Sequence, residues 1–474
     1  MAIKKKLVKR SKRAIKIGLS AAGKRIPAVR RAYRGALASR RRRRYEALWQ
    51  ANPVDKRTVV FECYGGRGYS CSPRALYKAM LADERFCDYE LVWSFRSGWS
   101  KWLRRALGQV ELTEEQALNL PEHADRLARV FGNDALEELS HAKIVTHGSH
   151  DYYEALARSG TWISNFILPT HMQLRDGQVY LQTWHGSPLK RLGCDLAANV
   201  RNATSSVTEI YDRYIAEGAR FTYLVSPSSF ATDKLSTAFA LPTLGQTDKV
   251  IEEGYPRNDA LTQTTPEHVA AIRERLNLPA DKKLLLYAPT WRDDQHQSGI
   301  GYTYSCDVDF DYLRRELGDD YVILFRAHYL VAKDFDFEQF AGFVYDVSDV
   351  SDINDLYVVS DMLITDYSSV FFDYAILERP TIFYMYDFDA YANDLRGFYL
   401  QLDELPGPIV RDEQALVEQV RAAENPTEDD SARAKKFLER FGPLDDGHAS
   451  ERVLSHIFPG EASPECEAAR DLAG

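Results

Sequence analysis

The chain has 474 residues, 45% of them hydrophobic, and a net charge of −9. That length favours two or three domains with sizeable cores, and no run approaches the roughly 18–20 consecutive apolar residues of a membrane span. The six cysteines, at 63, 71, 87, 194, 306 and 466, have neither CxxC nor Cys/His spacing, so they read as reduced cytosolic thiols rather than as metal ligands.

The charge is unevenly spread. Residues 1–50 hold 18 Lys or Arg and one acid, Glu46, a net +17; with −9 overall, residues 51–474 carry −26. A basic arm on an acidic body implies an anionic partner for the arm. Ile3, Leu7, Ala14, Ile15 and Leu19 can share a helical face, Gly18, Gly23 and Pro27 break it into short pieces, and Arg40–Arg44 is an unbroken arginine run. No apolar signal-peptide core follows the basic start. The arm, residues 1–50, is expected to lie on an anionic membrane surface as a peripheral association segment. Its sparse aromatics (Tyr33, Tyr45, Trp49) argue against base stacking, so no specific nucleic acid is expected.

Globular structure is expected from about residue 57. Thr58–Cys63 reads as a strand, YGGRGYSCSP as a Gly-rich loop, Pro73–Leu81 as a helix and Tyr89–Phe95 as the next strand, the opening of a doubly wound sheet. GGRG is neither GxGxxG nor a Walker loop, but its backbone can approach a ligand. After largely helical residues 101–140 come strands at Ala142–Thr146, Thr161–Asn165 and Gln178–Thr183. The last runs into QTWHGSPLKRLG, which puts His185 at a strand's carboxyl end, where α/β folds place ligands. A histidine there can serve as general base, and the cations Lys190 and Arg191 follow close behind. Strands are expected at Tyr223–Ser226 and Lys249–Glu253. The domain boundary is placed between 240 and 262, giving a first domain at 57–245 and a second at 249–445.

The second domain opens with a helix, Pro266–Leu276. Strand Lys283–Ala288 leads to Arg292, which can hold a phosphate bidentately. Strand Tyr321–Arg326 leads to a second strand-end histidine, His328, and the polar Ser348–Asn354 segment can frame a nucleotide base. ITDYSSVFFDYAILERP then reads as a strand end, a turn and a helix over Phe371–Leu377 stopped by Pro380. Ser368 and Ser369 sit at its start, where free N–H groups and the helix dipole favour phosphate; Asp373 lies one turn on. Residues 446–474 are expected to be an uninformative tail. No clustered metal ligands stand out, and no cofactor is called for.

From the residues alone this is a cleft between two doubly wound sheets with phosphate-binding groups on the carboxyl side, hence a nucleotide-dependent transferase. The motifs QTWHGSPLKRLG, EGYPRND, YAPTWRDD, FRAHY and LITDYSSVFFDYAILERP, in that order, resemble the CDP-glycerol glycerophosphotransferase family of teichoic acid primases and polymerases. The resemblance implies a GT-B fold of two Rossmann-like domains. It implies transfer of glycerol phosphate, or a related alditol phosphate, from CDP-glycerol or a similar CDP-alditol to a lipid-linked glycan acceptor, releasing CMP. It also implies a peripheral enzyme at the cytoplasmic face of the membrane. His185 would be the base, Arg292 and His328 would hold the pyrophosphate, Ser368 and Ser369 would bind phosphate, Asp373 would face ribose or cytidine hydroxyls, and Lys190 and Arg191 would hold the acceptor's phosphates. One departure is Tyr329, where the family's second histidine motif usually has proline. Two rivals are a GT-B glycosyltransferase using a nucleotide sugar, which would release a nucleoside diphosphate, and a noncatalytic nucleic-acid-binding protein.

Overall fold

A computed structural model describes residues 27–110, 120–197, 206–290, 296–297, 301–302, 308–326, 335–388 and 397–460. Among these, two parallel sheets dominate. The first runs β3-β2-β1-β4-β5-β6-β7, from β1 (Asp55–Glu62), β2 (Glu90–Phe95), β3 (Ala142–Thr146), β4 (Ser159–Ser164), β5 (Val179–Gln182), β6 (Tyr223–Ser226) and β7 (Val250–Glu252). β8 (Lys283–Ala288) opens the second sheet, and β9 (His296–Gln297) and β10 (Gly301–Tyr302) form a separate antiparallel pair. The second sheet is completed by β11 (Tyr321–Phe325), β12 (Val344–Asp346), β13 (Met362–Thr365), β14 (Thr381–Tyr384) and β15 (Ile409–Val410), in the order β12-β11-β8-β13-β14-β15.

The strands are apolar throughout because helices cover both faces of each sheet. Side chains alternate across β1: Val59 and Phe61 enter one core with Trp93, while Val60 enters the opposite core with Trp162. In β8, Leu284 and Leu286 face one core and Leu285 and Tyr287 the other. Each such buried side chain contributes about 1.5–3 kcal/mol. Strand order reverses between β1 and β4 in the first sheet and between β8 and β13 in the second. Ligands of doubly wound folds bind outside the carboxyl ends at such reversals. Two α/β domains with facing carboxyl edges are the architecture the resemblance implies.

Four expectations change. The strand assigned to the start of the second domain is β7, which pairs with β6 through Leu224–Val250, Val225–Ile251 and Ser226–Glu252. A strand, a helix (Ser229–Ala238) and a parallel strand close back into one sheet, as crossover units do. The chain also returns at its other end. Helix Ala449–Ile457 buries Val453, Leu454 and Ile457 in the first-domain core, and the Asp259 carboxylate accepts the N–H groups of Ala449 and Ser450 at 2.9 and 2.8 Å. Residues 446–460 are therefore part of the fold rather than a tail. The arm is not wholly separate either. Helix Pro27–Ala51 docks Tyr45, 2% exposed, edge-on against Trp162 and Tyr153, and Arg175 donates to the Trp49 carbonyl at 2.7 Å. Finally, Cys63, Cys71 and Cys194 are free thiols, but Cys87 is disulfide-bonded, against the expectation of reduced thiols throughout. Among the described residues no helix is long and apolar enough to cross a membrane.

Candidate active site

The carboxyl edges of the two sheets border a cleft of about 510 Å³. Its first-domain wall is Trp184–Lys190 and Leu192, the segment after β5. Its second-domain wall comes from the ends of β8, β11, β12 and β13: Ala288–Thr290, Arg326, Ser348 and Tyr367–Val370. The walls are close: a Cβ on Gly186 would lie 3.8 Å from Ser369 Oγ.

His185 is held by a tight turn. Trp184 has φ +51° and Gly186 φ +145°, and the Gln182 side chain accepts the Trp184 N–H at 3.0 Å. His185 Nδ1 lies 2.9 Å from the Asn165 carbonyl. A carbonyl can only accept, so Nδ1 carries the proton and Nε2 is left with its lone pair. The half-buried ring contacts Trp184 and Tyr64 at centroid distances of 4.3 and 5.8 Å. Burial pushes its pKa down to about 4, the Asn165 hydrogen bond opposes that shift and the Arg257 guanidinium adds to it. The imidazole is thus neutral at pH 7, as a proton acceptor must be.

Arg257, in the segment linking the domains, fixes the backbone of this turn. Its Nη1 donates to the His185 carbonyl at 2.7 Å, and Nη2 is paired with the Asp373 carboxylate. Asn258 Nδ2 donates to the other Asp373 oxygen at 3.2 Å, and Asn354 donates to the Arg257 carbonyl. Burial alone would lower the pKa of Arg257; Asp373, together with Cys71, Tyr64 and Tyr357, outweighs it and raises it well above the ordinary value. Gly186 is required here by both conformation and space, since a Cβ would sit 3.0 Å from Arg257 Nη2. Gly186→Ala is expected to cost about 1–3 kcal/mol in strain and at least tenfold in turnover, read by thermal unfolding and by nucleotide release.

The second-domain wall is built at the β8/β13 reversal. Thr365 Oγ1 donates to the Ala288 carbonyl at 2.8 Å, while Asp366 Oδ1 accepts the N–H groups of Thr290 and Tyr367 at 2.7 and 2.6 Å. These bonds set Ser368 and Ser369 at the cleft. The following α-helix is short, Val370–Tyr374, and continues as a 3₁₀ turn, Ala375–Leu377; the Ser369 side chain makes no capping bond to it. Arg326 reaches the cleft from the end of β11, anchored through Nη1 to the carbonyls of Val350 (2.6 Å) and Val347 (3.3 Å). Burial lowers its pKa from the ordinary value, but a guanidinium remains charged in a protein.

The structure thus brings together His185, Lys190, Ser368 and Ser369. Arg191 is exposed, stacks beside Gly397 and does not line the cleft. Asp373 is 3% exposed and faces Arg257 rather than the cleft, because the buried guanidinium needs its charge. Arg292 and His328 lie outside the described residues, as do residues 1–26 of the arm. In the Ser348–Asn354 segment, Ser348 and Ile353 line the cleft, whereas Ser351 donates its N–H to the Val130 carbonyl at 2.7 Å and ties the domains together. Three residues escaped the sequence reading. Arg257 and Arg326 stood inside the EGYPRND and FRAHY motifs, but nothing local distinguishes a cleft arginine from a surface one. Asn165 acts through its backbone carbonyl, which leaves no trace in residue type. Among the described residues no group of three His, Cys, Asp or Glu side chains could hold a metal ion.

The family profile described as CDP-Glycerol:Poly(glycerophosphate) glycerophosphotransferase matches residues 44–459. A teichoic acid glycerol-phosphate transferase of Staphylococcus aureus is 37% identical over 407 residues, covering 85% of this chain and 93% of that one. A teichoic acid poly(glycerol phosphate) polymerase of Bacillus subtilis is 36% identical over 412 residues, 86% of this chain but 50% of that one. The chain thus spans about half the length of that polymerase and of its Staphylococcus epidermidis counterpart. The solved wall teichoic acid polymerase TagF superposes with a TM-score of 0.73 at 33% identity, over 90% of this chain and 95% of that one. Sequence and fold agree, and the chain belongs to the CDP-glycerol:poly(glycerophosphate) glycerophosphotransferase family.

Proposed function

We propose that this protein transfers glycerol phosphate from CDP-glycerol to a hydroxyl of a teichoic acid or lipid-linked glycan acceptor. The observation that carries the reading is the neutral, Nδ1-protonated His185 facing Ser368, Ser369 and Arg326 across one cleft. The acceptor oxygen attacks the β-phosphorus, the bond from that phosphorus to the bridging oxygen breaks, and CMP leaves with the bridging oxygen. His185 Nε2 takes the hydroxyl proton. The bound pyrophosphate's negative charge favours the imidazolium, so the base strengthens once the donor is in place. Arg326 offsets charge on the departing CMP, a role proposed for Arg292 and His328 as well. Ser368 and Ser369 donate to the transferred phosphate, and Lys190 contacts the acceptor's phosphates. The basic arm holds the enzyme to anionic lipid at the cytoplasmic face.

The test is nucleotide release from purified protein given CDP-glycerol and a lipid-linked disaccharide. Acceptor-dependent CMP is the expected product. Release of UDP from a UDP-sugar, with no CMP from CDP-glycerol or CDP-ribitol, would replace the reading with a glycosyltransferase.

A further inference from the structure

Beyond the cleft that His185 lines, the carboxyl edge of the first sheet carries a second group of polar side chains that the transfer chemistry does not use. Arg67 projects from the loop after β1, Arg96 follows β2 and His147 follows β3. Both arginines are exposed on a body whose net charge is strongly negative, and His147 is half-buried between them. Burial, then the Arg96 and Arg67 guanidiniums, push the pKa of His147 below its ordinary value.

The group is built rather than incidental. Arg96 donates its N–H to the Gly66 carbonyl at 2.7 Å and its Nε to the Gly65 carbonyl at 3.3 Å. Gly66 has φ +74°, and a Cβ there would meet His147 Cβ at 2.9 Å and Arg96 N at 3.2 Å. Gly66 therefore lets the His147 side chain and the Arg96 backbone pack against the loop that carries Arg67. His147 Nδ1 is buried without a hydrogen-bond partner, 3.9 Å from Glu62 Oε2. Glu62 lies beneath and accepts a hydrogen bond from the Tyr152 hydroxyl; burial pushes its pKa up to about 7 against the opposing pull of Tyr152, Arg67 and Arg96, so near neutrality it is only partly charged.

This group adjoins the base. Arg67 lies over the Phe166 ring, 5.0 Å from its centroid, and Phe166 is 38% exposed. The preceding residue, Asn165, supplies the backbone carbonyl that orients His185, and its side-chain Oδ1 accepts the Tyr64 N–H at 2.8 Å. The β1/β4 reversal is thus framed by Tyr64–Arg67 on one side and Asn165–Phe166 on the other.

We infer that Arg67, Arg96 and His147 form a subsite for a phosphate of the acceptor, one that positions the acceptor hydroxyl toward His185. The inference rests on the phosphotransfer reading above. Two guanidinium forks suit a phosphate's oxygens, and His147 supplies a third polar contact. A lipid headgroup offers the same phosphate chemistry, so the test separates the two.

Wild type, Arg67→Gln and Arg96→Gln are titrated with a soluble three-unit glycerol phosphate oligomer, with CDP-glycerol, and with phosphatidylglycerol vesicles. Because both arginines are exposed, folded protein is expected, and a thermal melt checks it. Each variant should bind the oligomer about 10–100-fold more weakly, the range for one charged hydrogen-bonding group, with CDP-glycerol binding unchanged. Unchanged oligomer binding in both variants, or no oligomer binding by wild type, would overturn the subsite. So would loss of vesicle binding alone, which would make the patch a membrane contact, or parallel loss of CDP-glycerol binding, which would make it part of the donor site. Oligomer binding that responds to the arginines in an enzyme releasing no CMP would leave the phosphate subsite standing and remove the transfer reading.

Discussion

His185→Ala is expected to lower acceptor-dependent CMP release about 10²–10⁴-fold, the usual contribution of a positioned general base, with CDP-glycerol affinity changed little. Its carbonyl, not its ring, bonds Arg257, so the substitution removes the proton acceptor and leaves the clamp on the backbone in place. The pH profile checks the assignment independently. Burial places the folded-state pKa near 4, below the ordinary value for histidine. The base is active when unprotonated, so kcat/KM, which reports the free enzyme, should stay level as pH falls through 6.5 and fail only toward pH 4 on account of this group. A wild-type acidic limb centred at 6.5 and absent in a His185→Gln variant would show an exposed, unperturbed histidine instead.

Asp373→Ala is expected to destabilise the fold by about 3–5 kcal/mol, because it leaves the Arg257 guanidinium buried without its counterion. Urea denaturation reads this directly. The ribose-binding role suggested by sequence position would give the opposite pattern: ordinary stability and a raised KM for donor. Where enough folded protein remains, turnover should also fall, since Arg257 holds the His185 carbonyl and Asn354 of the second domain binds the Arg257 carbonyl. Asp373→Asn keeps a hydrogen-bond acceptor at nearly the same volume and should recover part of the stability but not the charge pairing.

These two residues show which information is local. The alternating and continuous apolar runs VVF, KLLLYA, YVILF and MLIT identify parallel strands covered on both faces, and the positions directly after them identify the functional edge. His185, Ser368 and Ser369 were legible for that reason: strand-end position is a property of the chain. The family resemblance rests on the same short motifs, because each is a strand end with its turn. Sequence by itself therefore determined two doubly wound domains and the strand-end positions of His185, Ser368 and Ser369, on which the proposed base and phosphate contacts rest. What Asp373 does was not legible, because helical spacing shows which way a side chain can point but not which charge waits there. Arg257, 116 residues earlier in the chain, decides it. The same holds for β7 and for helix Ala449–Ile457, whose apolar residues would suit either core. Only tertiary packing assigned both to the first domain, since burial against a particular sheet depends on the surface that sheet leaves uncovered, and no stretch of sequence carries that on its own.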